Sequence, residues 1–258
     1  MQLISPNSNL PTTSSEPIDP FFRVEVISQT VNPQQVIYAA MHQDYAESFV
    51  WDERDQFPDE TKAGELVIKH LLAGGRGHYG PLEHPQIVLN CGFFPHSTMQ
   101  QMRTHRVGVS FDVQSFRYTG QRLIDVVEGR RDIEEVFYLR PIGFYSDRQG
   151  KRYEYTQDLR QQDLEWCLQG CHRYAERIQQ GFSEEHARGL IAFDVRQHWV
   201  MSANVRSFMH LLDLRWKLDA QLEAQQLCEL MWQHFKAWVP EIANWYETSR
   251  AKKARLSP

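Results

Sequence analysis

Between Gln100 and Thr119 the chain places three arginines (Arg103, Arg106, Arg117), one histidine (His105) and five hydroxyls (Thr104, Ser110, Ser115, Tyr118, Thr119). A guanidinium is a rigid fork of N–H donors that keeps its charge near neutral pH. Several of them with hydroxyls between suit the oxygens of a phosphate or a nucleotide. The same residues also suit a solvated basic loop, and the stretch taken alone leaves both readings open. Further chemistry-bearing residues lie elsewhere. Gly77 to Glu83 and His84 form a Gly/Pro-punctuated loop with two histidines and an acid. Arg188 follows a helix start, where the helix dipole disfavours a cation. Asn204, Arg206, His210 and Arg215 share one helical stretch. Arg206 and Arg215 point to opposite sides of that helix, and Asp213 and Asp219 offer ordinary salt-bridge partners for them.

The elements that must position these groups read as one soluble α+β domain. Its 258 residues are enough for a full core. The formal charge of −5 argues against a general nucleic-acid binder, so the basic stretch is a local positive site on an acidic protein. No apolar run reaches membrane-span length and no secretory signal is visible, so a cytoplasmic protein without membrane or nucleic-acid partners is expected. Cys91, Cys167, Cys171 and Cys228 are scattered and read as reduced thiols. Cys167 and Cys171 lack a second pair at zinc-finger spacing. His78, His84, His96 and His105 lack the helical pair with an acid that a metal site needs, so no metal is expected.

In chain order, residues 1–20 are rich in Pro, Ser, Thr and Asn and read as a disordered arm. Residues 21–245 form one domain, and 246–258 a basic tail. Alternation predicts a strand over Phe22–Ser28, and Asn32-Pro33 a capped helix to about Glu47. A helix is expected over Glu60–Ala73, a strand over Gln86–Phe94, and a short helix over Thr98–Arg103 capped by Ser97. Short strands are expected over Arg122–Val127 and Glu135–Leu139. Long helices follow over Glu154–Gln180 and Asn204–Trp238, the first with Leu159, Leu164, Cys167, Cys171, Tyr174 and Ile178 on its apolar side. Ser183 with Glu184 and Glu185 begins another helix.

Four separated segments, in order, resemble the flavin-dependent thymidylate synthases. That family's signature is Arg-His-Arg, seven residues, then Ser-x-Arg-Tyr. Here Thr104-His105-Arg106 and Ser115-Phe116-Arg117-Tyr118 stand in those places with eight residues between. The Gly-His-x-x-Pro-x-Glu-His segment is Gly77–His84, the Ala-Arg segment is Ala187-Arg188, and the Asn-x-Arg-Ser helix is Asn204–Arg215, continued by Ala220-Gln221-Leu222-Glu223.

The resemblance implies a mixed sheet core with long packed helices, and synthesis of dTMP from dUMP. Methylenetetrahydrofolate supplies the carbon and NADPH the hydride, through FAD. It implies Arg215 as the residue that polarises the pyrimidine. Gln100, Gln101, Arg103, Ser115, Phe116, Arg117 and Arg188 would join Arg215 in holding dUMP. FAD would be held by His84, Gln86, Arg103, His105, Arg106, Asn204, Arg206 and His210, in a homotetramer whose subunits share sites. The altered signature leaves an alternative, a nucleotide- or flavin-binding homologue without synthase activity.

Overall fold

The computed structural model describes residues 18–75, 77–147 and 149–252. The expected arm, apart from its last residues, and the end of the basic tail lie outside these. Strand β1 (Arg23–Gln29) is followed by helix α1 (Pro33–Gln43) and helix α2 (Glu60–Val67), which a π turn extends over Ile68–Leu72. Strand β2 (Gln86–Pro95) leads into α3 (His96–Met102) and β3 (Val109–Val113). Next come α4 (Phe116–Thr119), α5 (Gln121–Val127), and a hairpin of β4 (Gly143–Ser146) and β5 (Arg152–Tyr155). Helices α6 (Gln157–Gln179) and α7 (Glu184–Ala187) precede β6 (Arg196–Asn204), and α8 (Val205–Arg215), α9 (Leu222–Trp238) and α10 (Pro240–Ser249) complete the chain. None of the described helices is long and apolar enough to cross a membrane.

The main sheet has the order β1-β2-β6-β3. Every described pairing is antiparallel, so the α+β class holds while the parallel part of a mixed sheet does not occur among the described residues. The larger core packs β1, β2 and β6 against α1, α8, α9 and α10 through residues such as Ile37, Leu89, Trp199, Phe208, Phe235 and Tyr246. A second core joins α4, α5, α6 and α7 through Phe116, Leu123, Cys171, Tyr174 and Ala187. The basic stretch lies where these two cores meet.

Several expectations change, each for a tertiary reason. Arg122–Val127 is a helix, not a strand: Arg122, Leu123 and Val126 are buried at helical spacing, which outweighs the β-branched run. Glu135–Leu139 is not a strand: Glu135 ends the 3-10 turn Ile133–Glu135, and Phe137 makes a single bridge to Val195. The helix from Pro33 ends at Gln43, and Asn32 adopts φ 49° without capping it. The Glu60 carboxylate does so instead, accepting from the backbone N–H groups of Gln34 at 2.7 Å and Gln35 at 2.9 Å. Pro95, not Ser97, occupies the cap position of α3, and Asp194 accepts from the Ser97 N–H at 2.9 Å. Leu159 is exposed rather than on the buried side of α6.

The helix expected over Asn204–Trp238 is two helices, α8 and α9, with an extended Gln221 before the second. Just after the break, Glu223 is buried against Arg140. The domain also runs past residue 245. Tyr246 is fully buried and donates to Asp213 at 3.0 Å, and Arg250 pairs with the same carboxylate. At the other end Asp19 grips Arg196 at 2.8 Å, so the last residues of the expected arm dock on the sheet.

Candidate active site

A cleft of 610 Å³ opens between α3, β3, the start of α4 and the segment after α7. Gln100 and Arg103 reach it from α3, Ser115 and Phe116 from the turn after β3, and Arg188 from the 3-10 turn after α7. Residues far apart in sequence thus become two guanidiniums, an amide and a hydroxyl around one space. The Ser115 hydroxyl also accepts from the Arg117 backbone N–H at 3.4 Å, which starts α4. His96, weighed from sequence only as a metal ligand, also lines it, as do Phe111, Asp112, Gln114, Phe193 and Gln197, which were not singled out from sequence. Asp112 and Gln114 lie inside the basic stretch, but only the pairing of β3 with β6 turns that stretch into a cleft wall. Gln197 lies on β6, a strand that polar Arg196, Gln197 and His198 hide from a hydrophobicity reading.

Arg117 is not in the cleft lining; it pairs with Glu185 at 3.0 Å on an exposed surface. Gln101, on α3, and Arg215, at the end of α8, are also outside the lining and meet each other. There Arg215 donates Nε–H to His105 Nε2 at 3.1 Å, Nη2–H to Thr104 Oγ1 at 2.7 Å and to the Gln101 carbonyl at 3.2 Å, and Nη1–H to Gln101 Oε1 at 3.4 Å. One N–H of Nη1 remains for another acceptor. Thr104, which replaces an arginine of the family signature, is therefore a direct ligand of this guanidinium. Neither Asp213 nor Asp219 pairs with Arg215 or Arg206. Asp213 holds α10, and Asp219 meets Lys217.

His105 lies beside His210, with ring centroids 5.5 Å apart. Burial, then the Arg215 charge, then His210 push its pKa down to about 4, so it is neutral and able to accept from Arg215. Burial also lowers the Arg215 pKa from its ordinary range. Asn204 caps α8, accepting from the Ser207 N–H at 2.8 Å, and fixes the helix that carries Arg206, His210 and Arg215. Arg206 pairs with Glu83 at 2.6 Å, which ties α8 to the loop before β2. His84 is exposed at the end of that loop's 3-10 turn, and Gln86 begins β2, donating to the Glu83 carbonyl at 3.1 Å. Arg106 is exposed next to His105.

The expected flavin residues therefore run along α8, the loop before β2 and the loop after α3, except Arg103, which lines the cleft. The expected nucleotide residues divide between the cleft and the Arg215 cluster, with Arg117 in neither. The first group supplies guanidinium and imidazole donors with an aromatic neighbour, Tyr79, 5.9 Å from the Arg206 guanidinium. That donor set fits an anionic diphosphate carrying flat rings. Away from it, Cys167 and Cys171 are buried, and burial pushes their thiols up to about 11 and about 12.

A family model described as thymidylate synthase complementing protein matches residues 25–241, and the chain belongs to that family. Similar curated relatives include the flavin-dependent thymidylate synthase of Haloarcula marismortui, 29% identical over 91% of this chain and 99% of that one. The enzyme of the same name from Halobacterium salinarum is 29% identical over 92% and 100%. Among solved structures, the UMP/dUMP methylase PolB of Streptomyces cacaoi bound with 5-Br dUMP shares the fold, with a TM-score of 0.67 at 19% identity, covering 92% of this chain and 97% of that one.

Proposed function

We propose that this chain is a flavin-dependent thymidylate synthase. It makes dTMP from dUMP in the cytoplasm, with methylenetetrahydrofolate as carbon donor and NADPH as reductant through FAD. The family match over residues 25–241 carries the reading. The nucleotide phosphate is assigned to Gln100, Arg103, Ser115 and Arg188 in the cleft, with Phe116 beside them. Arg117 joins them on release from Glu185. The pyrimidine is assigned to Arg215, with Gln101 steering it. Uracil C5 is a poor nucleophile until negative charge builds on the ring. A guanidinium already fixed by His105, Thr104 and Gln101 stabilises that charge without reorganising. His105 stays neutral and so does not compete for the ring oxygen. No cysteine of the signature segments is asked to act, in keeping with the burial of all four thiols.

FAD, when bound, supplies the redox chemistry. Arg106, Arg206, His210 and Asn204, with His84, Gln86, His105 and Arg103 around them, would hold it. Supporting a homotetramer is the division within one chain: the cleft lining holds residues assigned to the phosphate while Arg215 is not part of it. A second copy can bring the two groups to one nucleotide. Purified protein should show flavin absorbance, release FAD rather than FMN on denaturation, and oxidise NADPH faster when dUMP is present. Protein that binds no flavin contradicts the reading.

A further inference from the structure

Beside the cleft lies a buried charge that no described residue neutralises. Arg122, on α5, is nine-tenths buried. It donates Nη1–H to the Arg196 carbonyl at 2.8 Å and its guanidinium stacks 4.5 Å from the Phe116 ring centroid. Its Nε and Nη2 are buried without any partner. No carboxylate among the described residues pairs with it; the charge it feels is another cation, Arg131, which adds to burial in lowering its pKa to about 10. The other buried arginine of this region, Arg196, is treated quite differently: Asp19 accepts from both its terminal nitrogens, at 3.1 and 2.8 Å.

A buried arginine left unpaired is costly and normally finds an anion. Of Arg122's two anchors, Phe116 lines the cleft, and Arg196 stands in sequence between the lining residues Val195 and Gln197. Two lining residues, Gln114 and Gln197, also bury amide oxygens without partners. Turned over, each amide presents N–H donors instead. Three unmet polar groups thus collect behind one wall of a space that already holds Arg103 and Arg188.

The geometry points to Arg122 as a further anion-binding residue of this cleft, its missing counter-charge being the phosphate of the bound nucleotide. This rests on the dUMP reading above and adds a residue that lies outside the signature segments. The field of Arg122 acts from a buried position, where it is screened far less than the exposed charges of Arg103 and Arg188. Phe116 shields it from water until the nucleotide covers the cleft.

Calorimetric binding of dUMP and of deoxyuridine, which lacks the phosphate, to the flavin-loaded wild type, Arg122→Met and Arg122→Lys tests this. In the wild type dUMP should bind much more tightly than deoxyuridine; if neither nucleotide nor nucleoside binds, the dUMP reading itself fails. If dUMP does bind, Arg122→Met should weaken it about tenfold or more and leave deoxyuridine within about twofold. Arg122→Lys should recover part of the loss. The melting temperature of ligand-free Arg122→Met should equal or exceed that of the wild type, because an uncompensated buried charge is gone. Equal weakening of both ligands, or an unchanged dUMP affinity with a lowered melting temperature, would make Arg122 a structural strut and overturn the inference.

Discussion

Arg215 donates its Nε–H to His105 Nε2 across 3.1 Å, joining the last turn of α8 to the loop after α3. A protonated imidazole has no lone pair to accept with, so this contact needs neutral His105. The fold enforces that state by burial and by placing the Arg215 charge beside the ring.

The first consequence is a pH dependence of stability. In the unfolded chain the imidazole takes a proton near its ordinary 6.5, while in the folded protein it resists until about 4. Between these values the unfolded state binds more protons, so stability falls as the pH drops through that window. Urea denaturation at a series of pH values should show this slope. His105→Gln, which keeps an acceptor without a titratable ring, should flatten it.

Arg215 should be separable from flavin binding. Arg215→Lys keeps a positive charge but loses the fork that reaches Thr104, Gln101 and His105 together. It should retain flavin absorbance while turnover falls by about 10²–10³-fold. Near-normal turnover in that variant would remove Arg215 from the chemistry.

A buried polar chain leads to the same guanidinium. Glu223 accepts from Arg140 at 2.7 Å, from the Tyr138 hydroxyl at 3.0 Å and from Gln221 at 2.7 Å; Gln221 also meets Gln101, which holds Arg215. Despite its burial, the Glu223 carboxyl is held below the usual range by Arg140 and then Gln221. Glu223→Ala should cost about 3 kcal/mol by leaving Arg140 without its counter-charge. Its turnover number should fall further than its flavin affinity, as kinetics and denaturation on one preparation would reveal.

Gly108 tests the backbone on which the signature is hung. Its φ is +64°, and a side chain there would collide with the Ser207 hydroxyl and the Asn204 amide, the cap of α8. Gly108→Ala should destabilise the protein by about 2 kcal/mol and loosen flavin, both through the α8 start. Thermal melting and flavin retention on a desalting column measure the two effects.

How legible this was from residue order depended on how local each cause is. Strand β2 with its alternating buried Ile87, Leu89 and Cys91 reads directly, as do α2 and the acid-led start of α7. Strand β6 does not, because it opens on two buried polar residues, Arg196 and Gln197, and the partner of Arg196, Asp19, is distant in sequence. The break between α8 and α9 has no glycine or proline to announce it; the pull of Arg140 on Glu223 lies more than eighty residues away. Among site residues, Gln100, Arg103, Ser115, Phe116 and Arg188 come together in the lining of one cleft. Arg117 and Gln101 are engaged elsewhere in the isolated chain. Arg122 gave no signal, since its significance is the absence of a neighbour that only three dimensions can disclose.

The most direct test of the central claim follows the hydrogen at C5 of the substrate. Protein loaded with FAD and given C5-tritiated dUMP, methylenetetrahydrofolate and NADPH should release tritium to water in step with dTMP formation, and release should slow in Arg215→Lys by the same factor as turnover. Flavin-loaded protein that binds dUMP yet retains the label would contradict the account and leave a binding protein without synthase activity.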